Sequence, residues 1–243
     1  MRHEGEVGYP LANLTEMQVI KSKYLSVFDA DGCLRAACSY LSDLSLHFSL
    51  MRVNEIFFSL QGEGFHAGRA AVFVRFSGCN LRCPFCDTEF EGFREMTEEE
   101  IVAEATRLSR GGLVVLTGGE PTLQMTPSLT QKLREAGFTV CVETNGTRDV
   151  IHDLADWITC SPKQTFLSHA AVRLAEADEV KVVFDGLHEV SDCGIKTTRR
   201  YVQPCDVSDA VRNAEIARKA VDYVKKNPQW QLSVQLHKLL GFR

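Results

Sequence analysis

From residue 53 onward, short apolar runs alternate with amphipathic stretches. "VNEIFFSL" (53–60) and "AVFVRFSG" (71–78) are rich in β-branched and aromatic residues and predict strands. "TEEEIVAEATRL" (97–108) predicts a helix opened by a capping box of Thr97 and Glu100. "GLVVLTGGEP" (112–121) predicts a short apolar strand that runs into glycines, and "PSLTQKLREAG" (127–137) a helix closed by Gly137. Further strands are predicted in "FTVCVETNG" (138–146), "ADWITCSPK" (155–163), "ADEVKVVFDG" (177–186) and "TRRYVQPCD" (198–206). "DAVRNAEIARKAVDYVKKN" (209–227) predicts the clearest helix, with Ala217, Ala220, Val221 and Val224 on one face. "QWQLSVQLHKLLGFR" (229–243) predicts a last strand, which would carry His237, and a tail.

Near-continuous apolar strands alternating with helices imply a parallel α/β sheet. "TGGEP", "ETNG", "SPK" and "QPCD" all fall at C-terminal ends of strands, the end that carries the active site in barrel-like α/β proteins. Four such ends with unusual residues point to one shared site rather than to scattered turns. The stretch from Met51 is short for eight full β/α units, so the expected fold is α/β, an incomplete, modified (β/α) barrel.

Residues 1–50 lack this rhythm. They read as an N-terminal extension, an upstream translation or poorly ordered segment, with residues 51–243 as the catalytic domain and Met51 as the native start. The competing reading is a helical cap, since "DGCLRAACSYLSDL" (31–44) can form a short amphipathic helix.

Composition changes this picture little. With 44% hydrophobic and 24% charged residues, the chain of 243 residues is of ordinary globular type. A net charge of −5 argues against a broad electrostatic grip on nucleic acid. No apolar run reaches the length of a membrane span, and the N-terminus lacks a secretory layout, so neither a membrane partner nor export is expected. Nine cysteines, an odd number, fit a reducing cytoplasm better than a disulfide framework. Cys141 and Cys160, in apolar strand runs, are expected to pack as small buried hydrophobes.

Three cysteines, Cys79, Cys83 and Cys86, stand together in "FSGCNLRCPFCDTEF" with C-x3-C-x2-C spacing. Structural zinc takes four Cys or His ligands, and although His66 is near in sequence it has no zinc spacing. Iron–sulfur clusters are also held by thiolates, four for a 4Fe–4S cluster, so three would leave one iron open. Three free thiols without a metal would be prone to oxidation.

This segment resembles the cluster loop of the radical S-adenosylmethionine superfamily, and "GGEP" resembles that superfamily's glycine-rich cofactor loop. With "FFSLQGEG", "ETNGT", "SPK" and "YVQPCD", the resemblance narrows to the 7-carboxy-7-deazaguanine synthase family, from Met51 to the C-terminus. It implies a radical SAM barrel and one 4Fe–4S cluster on Cys79, Cys83 and Cys86. S-adenosylmethionine would bind the open iron, and reductive cleavage would yield a 5′-deoxyadenosyl radical. The implied reaction is ring contraction of 6-carboxy-5,6,7,8-tetrahydropterin with loss of ammonia, supported by magnesium. The implied partners are an electron donor such as flavodoxin or ferredoxin and a second copy in a homodimer.

Residue by residue, the resemblance assigns cofactor contacts to Phe85, Cys86, Asp87, Gly119, Glu120 and Glu143. It extends them to Ser161, Pro162 and Lys163 of "SPK", and to Gln203, Pro204, Cys205 and Asp206 of "QPCD". Cys205 stands where the family more often has methionine, also soft and apolar. Leu60, Gln61 and Gly62 would line the pterin pocket, Arg75 would pair with the substrate carboxylate, and Thr117 and His237 would contact substrate. Thr88 would ligate magnesium. Asn145 is expected to face the same site. On its own "QGEG" or "ETNG" is a turn, but a lone arginine within "AVFVRFSG" suits bidentate binding of an acid. Two other readings are a glycyl-radical activase, which needs a docking surface for a large protein, and a zinc-binding module, which leaves the strand-end motifs unexplained.

Overall fold

The computed structural model describes residues 50–86, 92–149 and 152–243. The readings made for residues 1–49, and for Asp87 and Thr88, lie outside the described residues. Among the described residues, nine strands form one sheet in the order β3-β1-β2-β4-β5-β6-β7-β8-β9. They are β1 (Met51–Leu60), β2 (Ala70–Phe76), β3 (Arg94–Met96), β4 (Gly112–Gly118), β5 (Phe138–Thr144), β6 (Trp157–Cys160), β7 (Glu179–Phe184), β8 (Arg200–Pro204) and β9 (Gln231–Leu232). β1 pairs antiparallel with β2 and β3, and every pair from β2 to β9 is parallel. β3 and β9 remain as separate edges, so the barrel is incomplete, as the short domain led us to expect.

Among the described residues, four α-helices accompany the strands: α1 (Glu98–Leu108), α2 (Pro127–Glu135), α3 (Ala210–Lys226) and α4 (Leu236–Leu240). α1 carries the predicted capping box: Thr97 Oγ1 accepts from Glu100 N at 3.2 Å, and Thr97 N donates to Glu100 Oε2 at 2.8 Å. Asp209 caps α3 by accepting from Val211 N and Arg212 N. The buried stripe of α3 differs from the expected one. Ile216 and Ala220 are buried with Tyr223 and Val224 packed alongside, while Val221 is exposed. One residue is about 100° of helix, so Val221 falls off an i, i+4, i+7, i+8 stripe that starts at Ile216. The C-terminal stretch also departs from expectation. β9 is only two residues long, and His237 lies on the single-turn helix α4.

Alternation along the strands divides their side chains between two layers. Val72, Val74 and Phe76 of β2, Val114 and Leu116 of β4, and Val140 and Val142 of β5 pack with Ile101, Ala105, Leu129 and Leu133 of α1 and α2. Their alternates, Ala71, Phe73, Leu113, Val115 and Cys141, form a second cluster with Phe57 on the inner face. A register shift between Val53 and Glu55 changes the facing parity of β1. Before it Met51 and Val53 join the outer core, and after it Phe57 joins the inner one. The irregularity brings Glu55 opposite Arg75. Cys141 and Cys160 are buried as expected.

Candidate active site

Above the inner apolar cluster, the next inward positions are polar. Arg75 pairs in register with Thr117, Glu143 with Thr159, and Thr159 with Glu179. These strand ends, with the loops that follow them, enclose a cavity of about 620 Å³, a size suited to a small ligand. Cys79, Cys83, Phe85 and Cys86 line it from the loop after β2, and Gly119 from the loop after β4. Ser161 and Lys163 line it after β6, and Gln203, Pro204, Cys205 and Asp206 at the end of β8. Leu60, Gln61, Gly62, Arg75, Thr117, Glu143, Asn145 and His237 complete the expected set.

Two residues of that set do not line the cavity, Glu120 and Pro162. Glu120 is fully buried. Its Oε1 accepts from Thr122 N, Thr122 Oγ1 and Thr144 Oγ1, and its Oε2 from Asn145 N, all within 3.1 Å. This carboxylate ties "GGEP" to "ETNG" from behind the site. The glycines before it serve close approach. A Cβ on Gly119 would sit 1.8 Å from Gly78 O, and one on Gly118, at φ +115, 2.2 Å from Phe76 O. That contact is sealed by Gly119 N donating to Phe76 O and Glu120 N to Gly78 O.

The cysteine loop is fastened to "ETNG" as well. Asn145 Nδ2 donates to Asn80 Oδ1 at 3.0 Å, and Asn80 Nδ2 to Thr147 Oγ1 at 2.7 Å. Cys79 Sγ accepts from Leu81 N at 3.4 Å, the type of hydrogen bond that tunes cluster thiolates. Burial raises the pKa of Cys79 and Cys83, and the neighbouring thiols add to it. Phe85 stacks edge-on against Phe166, with ring centroids 4.6 Å apart. Among the described residues, no three His, Cys, Asp or Glu side chains are placed to hold a single metal ion. Thiolates on a four-iron cluster each take a separate iron. Three thiols facing one cavity, with a backbone donor already on one sulfur, fit a cluster. Lys163 reaches back to Ser161 O and Ser161 Oγ, and burial pulls its ammonium below its usual pKa.

A second group of polar side chains meets on the strands. Glu143 accepts from Gln61 Nε2 at 3.0 Å and from Thr117 Oγ1 at 2.9 Å. Its carboxylate therefore belongs with the Gln61 and Thr117 group. The Gln61 amide is used internally on both sides, because its Oε1 also accepts from Glu63 N at 3.2 Å. Arg75 Nε donates to Glu55 at 2.9 Å, which fixes the guanidinium plane. His237 reaches the cavity across Gly62, where a Cβ would stand 2.8 Å from its Nδ1.

Several lining residues escaped the sequence reading. Lys181 donates to Glu63, whose other oxygen accepts from Gln235 Nε2. Arg243 pairs with Glu55 and lies 4.8 Å over the Phe57 ring, and Lys238 pairs with Asp206 at 2.9 Å. A lone lysine within "EVKVVF" was the available signal for Lys181.

A cysteine triad beside a glycine-rich loop, at the C-terminal edge of an incomplete parallel barrel, defines a radical SAM enzyme. The radical SAM superfamily model matches residues 73–227. The 7-carboxy-7-deazaguanine synthase of Bacteroides thetaiotaomicron is 44% identical over 195 residues, 80% of this chain and 100% of the relative. That of Bradyrhizobium diazoefficiens is 40% identical over 214 residues, 79% of this chain and 98% of the relative. The crystal structure of QueE from Escherichia coli superposes with a TM-score of 0.59 at 27% identity, over 79% of this chain and 98% of that one. The chain belongs to the 7-carboxy-7-deazaguanine synthase family. Among the described residues, no helix is long and apolar enough to cross a membrane.

Proposed function

We propose that this enzyme converts 6-carboxy-5,6,7,8-tetrahydropterin to 7-carboxy-7-deazaguanine with loss of ammonia, in the route to queuosine and other 7-deazapurines. The observation that carries the reading is one cavity that joins two chemically distinct sets of groups. Three thiols occupy its loop wall, and a guanidinium, a carboxylate and a buried ammonium occupy its strand wall. The names of the relatives support the same reading.

Cys79, Cys83 and Cys86 hold the cluster, and Gly119, Phe85, the Ser161–Lys163 loop and Gln203 to Asp206 surround S-adenosylmethionine. When bound, cluster and cofactor together supply a one-electron cleavage that starts radical chemistry on the substrate. Arg75, its plane fixed by Glu55, binds the substrate carboxylate. Glu143 keeps lone pairs beyond those taken by Gln61 and Thr117, and accepts from the N–H edge of the pyrimidine ring. His237 and Leu60 close the ligand in from the side of the C-terminal helix. Asp87 would join the cofactor group, and Thr88 would supply a hard oxygen ligand to magnesium. A flavodoxin or ferredoxin as reductant and a cytoplasmic homodimer complete the reading.

The test is an anaerobic assay of reconstituted protein with the tetrahydropterin acid, reductant, S-adenosylmethionine and magnesium. Formation of the deazapurine acid is expected, with loss of cluster iron in Cys79→Ala, Cys83→Ala and Cys86→Ala but not in Cys141→Ala. Turnover of cofactor only with a different substrate overturns the assignment, and a colourless protein that holds zinc overturns the radical chemistry.

A further inference from the structure

The segment from Ser233 to Lys238 is bonded to both of the loops that the reading above assigns to cofactor and to substrate. The Ser233 hydroxyl is buried and serves the two loops at once. It accepts from Gly64 N of the loop after β1 at 3.1 Å, and donates to Gln203 Oε1 at the end of β8 at 3.1 Å. The Gln203 side chain in turn hydrogen-bonds Glu63. Further along, Gln235 Nε2 donates to Glu63 and Leu236 N donates to Gly62 O, both at 3.1 Å. Lys238 then returns to the other loop and pairs with Asp206 Oδ2 at 2.9 Å.

We propose that Ser233 and Lys238 are positioning residues through which an occupied cofactor loop shapes the substrate pocket, so that S-adenosylmethionine and the pterin acid bind cooperatively. This deepens the function proposed above and rests on its assignment of the two loops. The segment suits the task because little else fixes it. α4 is a single turn without a buried residue or a side-chain N-cap, and none of its residues belongs to either apolar cluster. A helix of that length is not stable by itself, so its place is set by polar bonds to the loops on either side. Elements held in this way open at low free-energy cost. A ligand that orders residues 203–206 orders Ser233 and Lys238 with them, and through them Gly62 and His237. The second ligand then loses less conformational entropy on binding, which is positive coupling and acts equally in both directions.

Two features of the geometry favour this over simple packing. Ser233 uses its hydroxyl as acceptor towards one loop and donor towards the other, which space-filling would not require. Asp206 is oriented for Lys238 in advance, since its Oδ1 already accepts from Ser208 N and Asn213 Nδ2.

The experiment is an anaerobic calorimetric titration of cluster-loaded protein, without reductant, using pterin-6-carboxylate, an oxidised analogue that does not turn over. It is run with and without saturating S-adenosylmethionine, and the readout is the ratio of the two Kd values. In the wild type the cofactor should tighten binding about tenfold or more, within the usual range of coupling between sites. Ser233→Ala should cut that ratio about threefold or more, as expected for a lost hydroxyl bridge. Lys238→Met should cut it about threefold, as expected for a partly exposed ion pair, and Lys238→Arg should preserve it. A merely structural role would weaken both Kd values alike and leave their ratio unchanged. Should Ser233→Ala fail to fold, Lys238→Met, which alters only a partly exposed pair, decides the matter. Wild-type protein that binds both ligands with a ratio near one, or variants that keep the wild-type ratio, overturns the coupling alone. Wild-type protein that does not bind the pterin acid overturns the substrate reading and this proposal with it.

Discussion

Replacing Glu120 by glutamine changes one oxygen to an amide nitrogen at a position with no exposure to solvent. Its outcome separates two uses of the "GGEP" loop. The carboxylate accepts four hydrogen bonds, three on Oε1 and one on Oε2. In its better orientation glutamine keeps the three and turns its NH2 towards Asn145 N, which already stands 2.8 Å away as a donor. One bond is lost and a buried backbone N–H is left unpaired, at a cost of about 1–3 kcal/mol. The other three fall from charge-assisted to neutral strength, roughly another 0.5 kcal/mol each. Relief from burying a charge offsets part of this, leaving on the order of 3 kcal/mol. For a domain of this size that is a drop of roughly 6–12 °C in melting temperature. The assay is thermal unfolding by circular dichroism, without cofactor, beside a titration with S-adenosylmethionine. An unchanged melting temperature together with a weakened cofactor affinity would refute the reasoning and return Glu120 to the cofactor wall.

Gly119→Ala puts a Cβ 1.8 Å from Gly78 O, so the loop must shift away from the cysteine segment; iron and sulfide content after reconstitution should fall well below wild type. The Glu63–Lys181 pair makes stability depend on pH at both extremes. Burial opposes ionisation of Glu63, but the Lys181 ammonium outweighs it and holds the carboxyl near about 2. Its contribution, on the order of 3 kcal/mol, is therefore complete above about 4.5 and lost as pH falls towards about 2. Urea unfolding at several pH values should show that loss, and Glu63→Gln should flatten it. Burial likewise opposes the charge on Lys181, yet Glu63 and Glu143 raise its pKa above the usual lysine value, so its contribution is present at neutral pH and lost only in strong alkali. Asp209→Ala removes the acceptor for two backbone N–H groups at the start of α3 and should cost about 1 kcal/mol in urea unfolding, with cluster content unchanged.

Much of the site was legible because the fold places it at lone polar residues in apolar strands. Arg75 in "AVFVRF", Thr117 in "VVLT" and Glu143 in "VCVET" each sit one step beyond an inward apolar residue, Phe73, Val115 and Cys141. A parallel strand buried on both faces has no solvent side on which to put such a residue, so its presence reports an inner cavity. The same rule applied to "EVKVVF" would have singled out Lys181. The capping box of α1 was legible for a different reason, since both partners lie within one turn.

What was not legible depends on contacts distant in sequence or on a break in period. Glu63 and Lys181 are 118 residues apart, and nothing local marks them as partners. The register shift near Asn54 alters the inward parity of β1 without a glycine or proline to announce it. "QLSVQL" alternates like a strand, but Leu236 N is taken by Gly62 O at 3.1 Å, and the chain turns into α4 against the loop after β1. Glu120 is the most instructive case. Resemblance pointed to its loop, but the direction of the carboxylate is set by Thr144 and Asn145 at the end of the next strand. A motif therefore locates a backbone that approaches the cysteine loop, while the side chains within it remain available to hold that backbone in place. In "GGEP" the glycines make the approach and the glutamate secures it from behind, which is why stability without cofactor, rather than cofactor affinity, is the measurement that decides the residue's role.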